Sequence, residues 1–86
     1  MVLSNRPKAL FTFAPLACRS EPKGEEIRHY SNAERLTRTW IIEDTGDNGW
    51  TVWEHDGFRT YEGTQYETEA EARSEVEWRI AELEVG

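Results

Sequence analysis

Glu71 and Glu75 stand one helical turn apart, Glu82 continues their row, and Glu77 lies on the other flank of the same segment. Carboxylates at that spacing have Cβ atoms about 5–6 Å apart, a loose match to successive phosphates along one nucleic-acid strand. Asp44 and Asp47 add charge from a turn-forming cluster, and Trp78 sets an indole among the glutamates. The chemistry such a set offers is electrostatic recognition, in which anions around an apolar anchor occupy a basic groove. For any one glutamate taken alone, an ordinary solvated helix face is the simpler account.

Other chemistries find less support. His29, His55 and Cys18 show no recognised zinc spacing. Asp44, Asp47, Asn48 and Gly49 superficially follow a calcium loop, but the full ligand pattern and its closing glutamate are missing. Serine, histidine and aspartate occur scattered, without the frame that activates a nucleophile. No enzyme activity, metal or cofactor is expected.

Charge is divided unevenly along the chain. Residues 43–86 carry thirteen Asp/Glu against three Arg and no Lys, whereas residues 1–42 carry seven Arg/Lys against four Glu; the halves of −10 and +3 give the net −7. A block this negative repels nucleic acid and anionic membrane and attracts basic protein surfaces. Eighty-six residues allow one small domain, and four Trp, three Tyr and three Phe make a folded core plausible despite 37% hydrophobic content. A single cysteine excludes an internal disulfide, and a cytoplasmic setting is expected. Arg6 and Lys8 before an apolar stretch ending at Cys18 resemble a short lipoprotein signal, yet Pro15 and Thr12 interrupt it. The segment is read as part of the fold, with an exported lipoprotein as the alternative.

The elements that must position these residues concentrate after residue 37. Residues 39–43 are β-branched and aromatic and predict a strand. Residues 44–49 predict a turn, and residues 50–55 a second strand. Asp56-Gly57 predicts a two-residue hairpin, with residues 58–62 returning as the third strand. That loop length sets Glu54 opposite Arg59, Trp53 opposite Thr60 and Val52 opposite Tyr61. One sheet face then holds Trp50, Val52 and Tyr61; the other holds Thr51, Trp53, His55, Phe58, Thr60 and Glu62. Thr68-Glu69-Ala70-Glu71 is a capping box opening a helix to about residue 83 or 84. Its apolar arc, Ala72, Val76, Ile80 and Leu83, is expected to pack on the Trp50 face.

Ala70, Trp78, Ala81 and Val85 form a second helix strip, either a homodimer or partner contact or a surface covered by Ile27, Tyr30 and Leu36. Ser31-Asn32-Ala33-Glu34 has capping-box spacing and predicts a short helical turn. Leu10, Phe11, Phe13 and Leu16 are expected to cover Trp53 and Phe58. The fold class is therefore α+β: an antiparallel sheet of three strands, or four, packed against one C-terminal helix. Residues 1–36 form an irregular N-terminal extension and residues 37–86 the β-β-β-α unit of a single domain.

Trp40-Ile41-Ile42, Gly49-Trp50-Thr51-Val52, Asp56-Gly57-Phe58-Arg59 and the helix entry at residues 66–72 together resemble the three-stranded modules of tyrosine-recombinase arm-binding and AP2-like domains. The resemblance implies DNA reading by the sheet face away from the helix. Here that face carries no Lys or Arg, so the attraction to phosphate is lost. In size and acidity the chain is similar in kind to phage anti-CRISPR and anti-restriction proteins, including DNA mimics. The leading expectation is a non-enzymatic inhibitor of a basic, nucleic-acid-handling protein, acting through Glu71, Glu75, Glu82, Glu77, Asp44, Asp47 and Trp78. Two alternatives stand beside it. One is a nucleic-acid-binding accessory domain of a mobile element, using Arg19, Lys23, Arg28, Arg35 and Arg38. The other is a protein that self-associates through the Trp78 strip.

Overall fold

Thr68 opens the helix that its sequence predicts. In the computed structural model, which describes residues 7–13, 22–57 and 60–85, the Thr68 hydroxyl accepts the Glu71 N–H at 3.2 Å. The Glu71 carboxylate accepts the Thr68 N–H in return, also at 3.2 Å. This reciprocal pair satisfies amides at the helix entry, where no preceding turn can. The helix, α1, then runs Glu69–Val85. Ala72 and Val76 are fully buried and Ile80 and Leu83 pack beside them, as the predicted arc requires.

Among the described residues the sheet holds five strands, all pairings antiparallel: β1 (Phe11–Thr12), β2 (Glu25–Ser31), β3 (Leu36–Asp44), β4 (Trp50–His55) and β5 (Glu62–Tyr66), in the order β1-β5-β4-β3-β2. One helix on one face of such a sheet is an α+β fold. The core lies between them, with Trp40 and Ile42 from β3, Val52 from β4 and Tyr66 from β5 meeting Ala72 and Val76. Alternation along β3 sends Trp40 and Ile42 to the helix and Ile41 to the other face, where it is also buried. β3 is thus covered on both faces, which accounts for its continuous apolar run.

Three sequence expectations change. The third strand is residues 62–66, not 58–62, and it pairs three residues further along: Glu54 opposes Glu62, Trp53 opposes Gly63 and Val52 opposes Thr64. The connection from β4 to β5 therefore spans six residues in place of two. It begins at Asp56-Gly57, where Gly57 has φ 95° and its N–H is accepted by His55 Nδ1 at 3.1 Å. An odd shift moves a strand's side chains to opposite faces. Tyr66 therefore fills the core where Tyr61 was expected, Tyr61 instead sits 4.6 Å from the His55 ring, and Glu62 moves to the helix side. The observed register also sets Gly63 under Trp53; a Cβ at Gly63 would come within 2.7 Å of the indole. The expectations for Phe58 and Arg59 lie outside the described residues.

The second change concerns the N-terminal extension, which supplies β2 and β1 and so two of the five strands. The third concerns Ser31-Asn32-Ala33-Glu34. Its half-box forms, with Ser31 Oγ accepting the Glu34 N–H at 3.2 Å. The turn then ends at Arg35, whose φ is 56°, with the Arg35 N–H on the Ser31 carbonyl at 2.7 Å. A left-handed residue reverses the chain, and the motif closes the β2–β3 hairpin instead of starting a helix.

Candidate charge-recognition surface

Glu75 is 1% exposed and is not a surface charge. The Arg79 Nε–H donates to its carboxylate at 2.5 Å, and Arg79 Nη1 donates to Glu54 at 2.5 Å. Glu54 also accepts from Arg38 at 2.8 Å, and Arg38 reaches on to Glu34 at 3.0 Å. The result is a chain of alternating charges, Glu34–Arg38–Glu54–Arg79–Glu75, running from the hairpin turn to the underside of the helix. Burial works to lower the Arg79 pKa, but the bond to Glu75 and the Glu54 charge outweigh it and hold the group above its ordinary value. The bond to Glu34 is the main cause that raises Arg38.

Arg73 is consumed in the same way. It donates to Glu69 at 2.8 Å and to Glu25 on β2, which fastens the helix to the edge strand. Hydrogen bonding to Arg73 holds the Glu25 carboxyl below its usual range. A depressed carboxyl contributes stability above its unfolded pKa and loses it as pH falls through the folded value. In a carboxyl-detected NMR titration, Glu25 should therefore lose its proton at a pH below the ordinary glutamate value. Arg73→Gln should return it to the ordinary range.

With Arg38, Arg73 and Arg79 taken up internally, the remaining acids collect at two ends of the sheet. At the turn end, Asp44 and Asp47 are exposed, and the exposed Glu67 and half-buried Glu71 lie at the nearby helix entry. The Asp44 carboxylate accepts the Gly46 N–H at 2.9 Å, shaping the short 3-10 turn Gly46–Asn48 that carries Asp47. At the other end, Glu62 and Glu82 flank a cleft of about 380 Å³ between sheet and helix, together with Arg38, Glu54 and Arg79. Trp40 borders this cleft, and its buried indole N–H has no acceptor among the described residues. Glu77 is exposed on the solvent side of the helix. The expected row Glu71–Glu75–Glu82 is thus broken at its middle, because Glu75 faces the sheet.

Trp78 is half-buried and makes contacts of its own, while Ala70 and Ala81 beside it are exposed. On the sheet face away from the helix, Trp53 is half-buried, its indole N–H donating to Glu43 at 2.8 Å. Phe13 lies 6.1 Å from the Trp53 ring, so the N-terminal segment covers this tryptophan in part. Leu10 and Phe11, expected to be buried there, are 51% and 53% exposed.

Sequence reasoning passed over two site residues. Glu67 belongs with Asp47, because both line a hollow of about 340 Å³ shared with Leu10, Phe11, Gly49 and Gln65. Gln65 itself is 1% exposed, and its side-chain oxygen has no hydrogen-bond partner among the described residues. The corrected β5 register is the signal that would have found both, since it brings Gln65 beside Phe11 and leaves Glu67 at the strand's end. Among the described residues no group of His, Cys, Asp and Glu is arranged to hold a metal ion, and no helix is long and apolar enough to cross a membrane. Comparisons of the chain with protein-family models, with curated proteins and with solved structures return no match.

Proposed function

We propose that this chain is a non-enzymatic binding protein that blocks a basic, nucleic-acid-handling protein, in the manner of cytoplasmic anti-CRISPR or anti-restriction inhibitors. One observation carries the reading. Arg38, Arg73 and Arg79 are each held by two internal carboxylates, whereas Asp44, Asp47, Glu62, Glu67, Glu77 and Glu82 have no ion pair among the described residues. The fold thus buries or neutralises these cations and leaves anions outside. The docking residues are now Asp44, Asp47 and Glu67 at one end and Glu62 and Glu82 at the other, with Glu77 between. Glu75 leaves the set, and Glu71 serves the helix cap. Of the cations that a nucleic-acid-binding domain would use, Arg28 is paired with Glu26 at 2.7 Å and Arg38 is doubly engaged, which favours the acidic reading.

Steering by these charges makes association fast and dependent on ionic strength. Against a basic nuclease, the association rate should fall at least about tenfold between 50 and 500 mM salt. The quadruple reversal Asp44→Lys, Asp47→Lys, Glu77→Lys, Glu82→Lys should abolish inhibition while the far-ultraviolet spectrum stays unchanged. A mobility shift of DNA by the protein alone, or inhibition indifferent to salt, would sink the proposal.

A further inference from the structure

We propose that the hollow between the 3-10 turn and β1 is a receptor for one arginine side chain of the basic partner. This rests on the partner being basic. It adds where a single residue is read and by which groups.

Three features of the hollow ask for the same ligand. Asp47 and Glu67 supply two carboxylates with no ion pair among the described residues. Gln65, which lines the same hollow, has a buried side-chain oxygen that accepts nothing from the described residues. A buried acceptor left in that state is costly, and a donor brought by a ligand removes the cost. Leu10 and Phe11, each about half exposed, supply an apolar flank beside these oxygens. The matching group must be cationic, offer several N–H donors in different directions, and carry an apolar stem.

Guanidinium meets these terms better than ammonium. Its five N–H donors sit in a rigid planar fork, it is weakly hydrated, and its plane stacks on an aromatic ring. The Phe11 ring is itself steadied by Phe13, edge-on at 5.0 Å between centroids. The turn is equally well held: the Thr45 N–H and hydroxyl both donate to the Gly49 carbonyl, at 2.9 and 2.6 Å, and the Gly49 N–H donates to Gly46 at 3.0 Å. Asp47 is therefore presented from a pinned turn, and little ordering remains to be done on binding.

The test is an amide-resolved NMR titration of the whole chain with N-acetyl-arginine amide, with the lysine and norleucine analogues alongside. Saturable shifts confined to residues around Phe11, Asp47, Gly49, Gln65 and Glu67, strongest for arginine, are expected. Asp47→Asn and Glu67→Gln should each weaken binding about fivefold, as partly exposed charge pairs do. Gln65→Met should weaken it further while preserving the spectrum of the fold. An arginine-rich decapeptide forms the second arm. If it binds in a salt-dependent way but moves residues elsewhere, the hollow is excluded and the acidic inhibitor reading stands. If neither ligand binds at low salt, both are overturned.

Discussion

Arg79→Met should lower the unfolding free energy by about 3 kcal/mol, the lower end of what removing one partner of a buried ion pair costs. The lower end applies because Arg79 is 19% exposed. The cost does not arise from losing attraction alone. Glu75 is 1% exposed, and without its arginine its charge stays in a site that water does not reach. Replacing both residues, Glu75→Met with Arg79→Met, should recover most of the loss, since two apolar chains of similar length leave no charge to solvate. Glu54 stays satisfied in both variants because Arg38 remains, 2.8 Å away. Urea unfolding of the two singles and the double checks this as a cycle. A double variant less stable than Arg79→Met would show that the pair stabilises the fold outright.

The same pair bears on function. Arg79 could have been a cation on the outer surface, opposing a basic partner. By drawing it inward, Glu54 and Glu75 turn a mixed helix face into an anionic one. In the proposed function Glu75 thus supports charge recognition without touching a partner. Arg73 with Glu25 and Glu69 repeats the device on the other flank.

Much of the frame was legible from local signals. The helix announced itself twice, through the Thr68–Glu71 box and the Ala72–Val76–Ile80–Leu83 arc, and two agreeing signals leave little room for another structure. β3, the turn after it and β4 were legible for a similar reason, each bounded by residues that restrict the backbone. β5 was not, because Asp56-Gly57 begins a longer loop as readily as it makes a two-residue one. The decisive information was non-local: a glycine opposite Trp53 gives the indole somewhere to lie. β2 was hidden by composition. It is an edge strand whose exposed side carries Glu26, Arg28 and Tyr30, so it lacks the apolar alternation that marks half-buried strands. Of the site, Asp44, Asp47, Glu77 and Glu82 were visible as acids and are exposed. Glu75 was misread because helical periodicity places it at the border of the apolar arc. Its fate depended on Glu54, a residue far away in sequence, accepting a share of Arg79.

Gly49→Ala should destabilise the protein by on the order of 3 kcal/mol, a large part of the roughly 5–10 kcal/mol that holds a domain of this size. Gly49 has φ 90° and ψ −138°, a region that residues with a side chain rarely enter. A Cβ there would also stand 2.4 Å from the Tyr66 carbonyl oxygen, and that oxygen belongs to backbone that cannot swing aside. The two penalties can be separated at the neighbouring glycine. Gly46 also has positive φ, at 72°, but nothing lies within 4 Å of its would-be Cβ. Gly46→Ala should therefore cost about 1 kcal/mol, from conformation alone. Equal losses at the two positions in thermal or urea unfolding would refute the close approach to Tyr66. The consequence reaches the charge-recognition surface, because the Gly49 carbonyl anchors Thr45 and the Gly49 amide closes the turn bearing Asp47. A Gly49→Ala protein that still folds at low temperature should bind arginine more weakly than Gly46→Ala, with Asp47 displaced from Glu67 and Gln65.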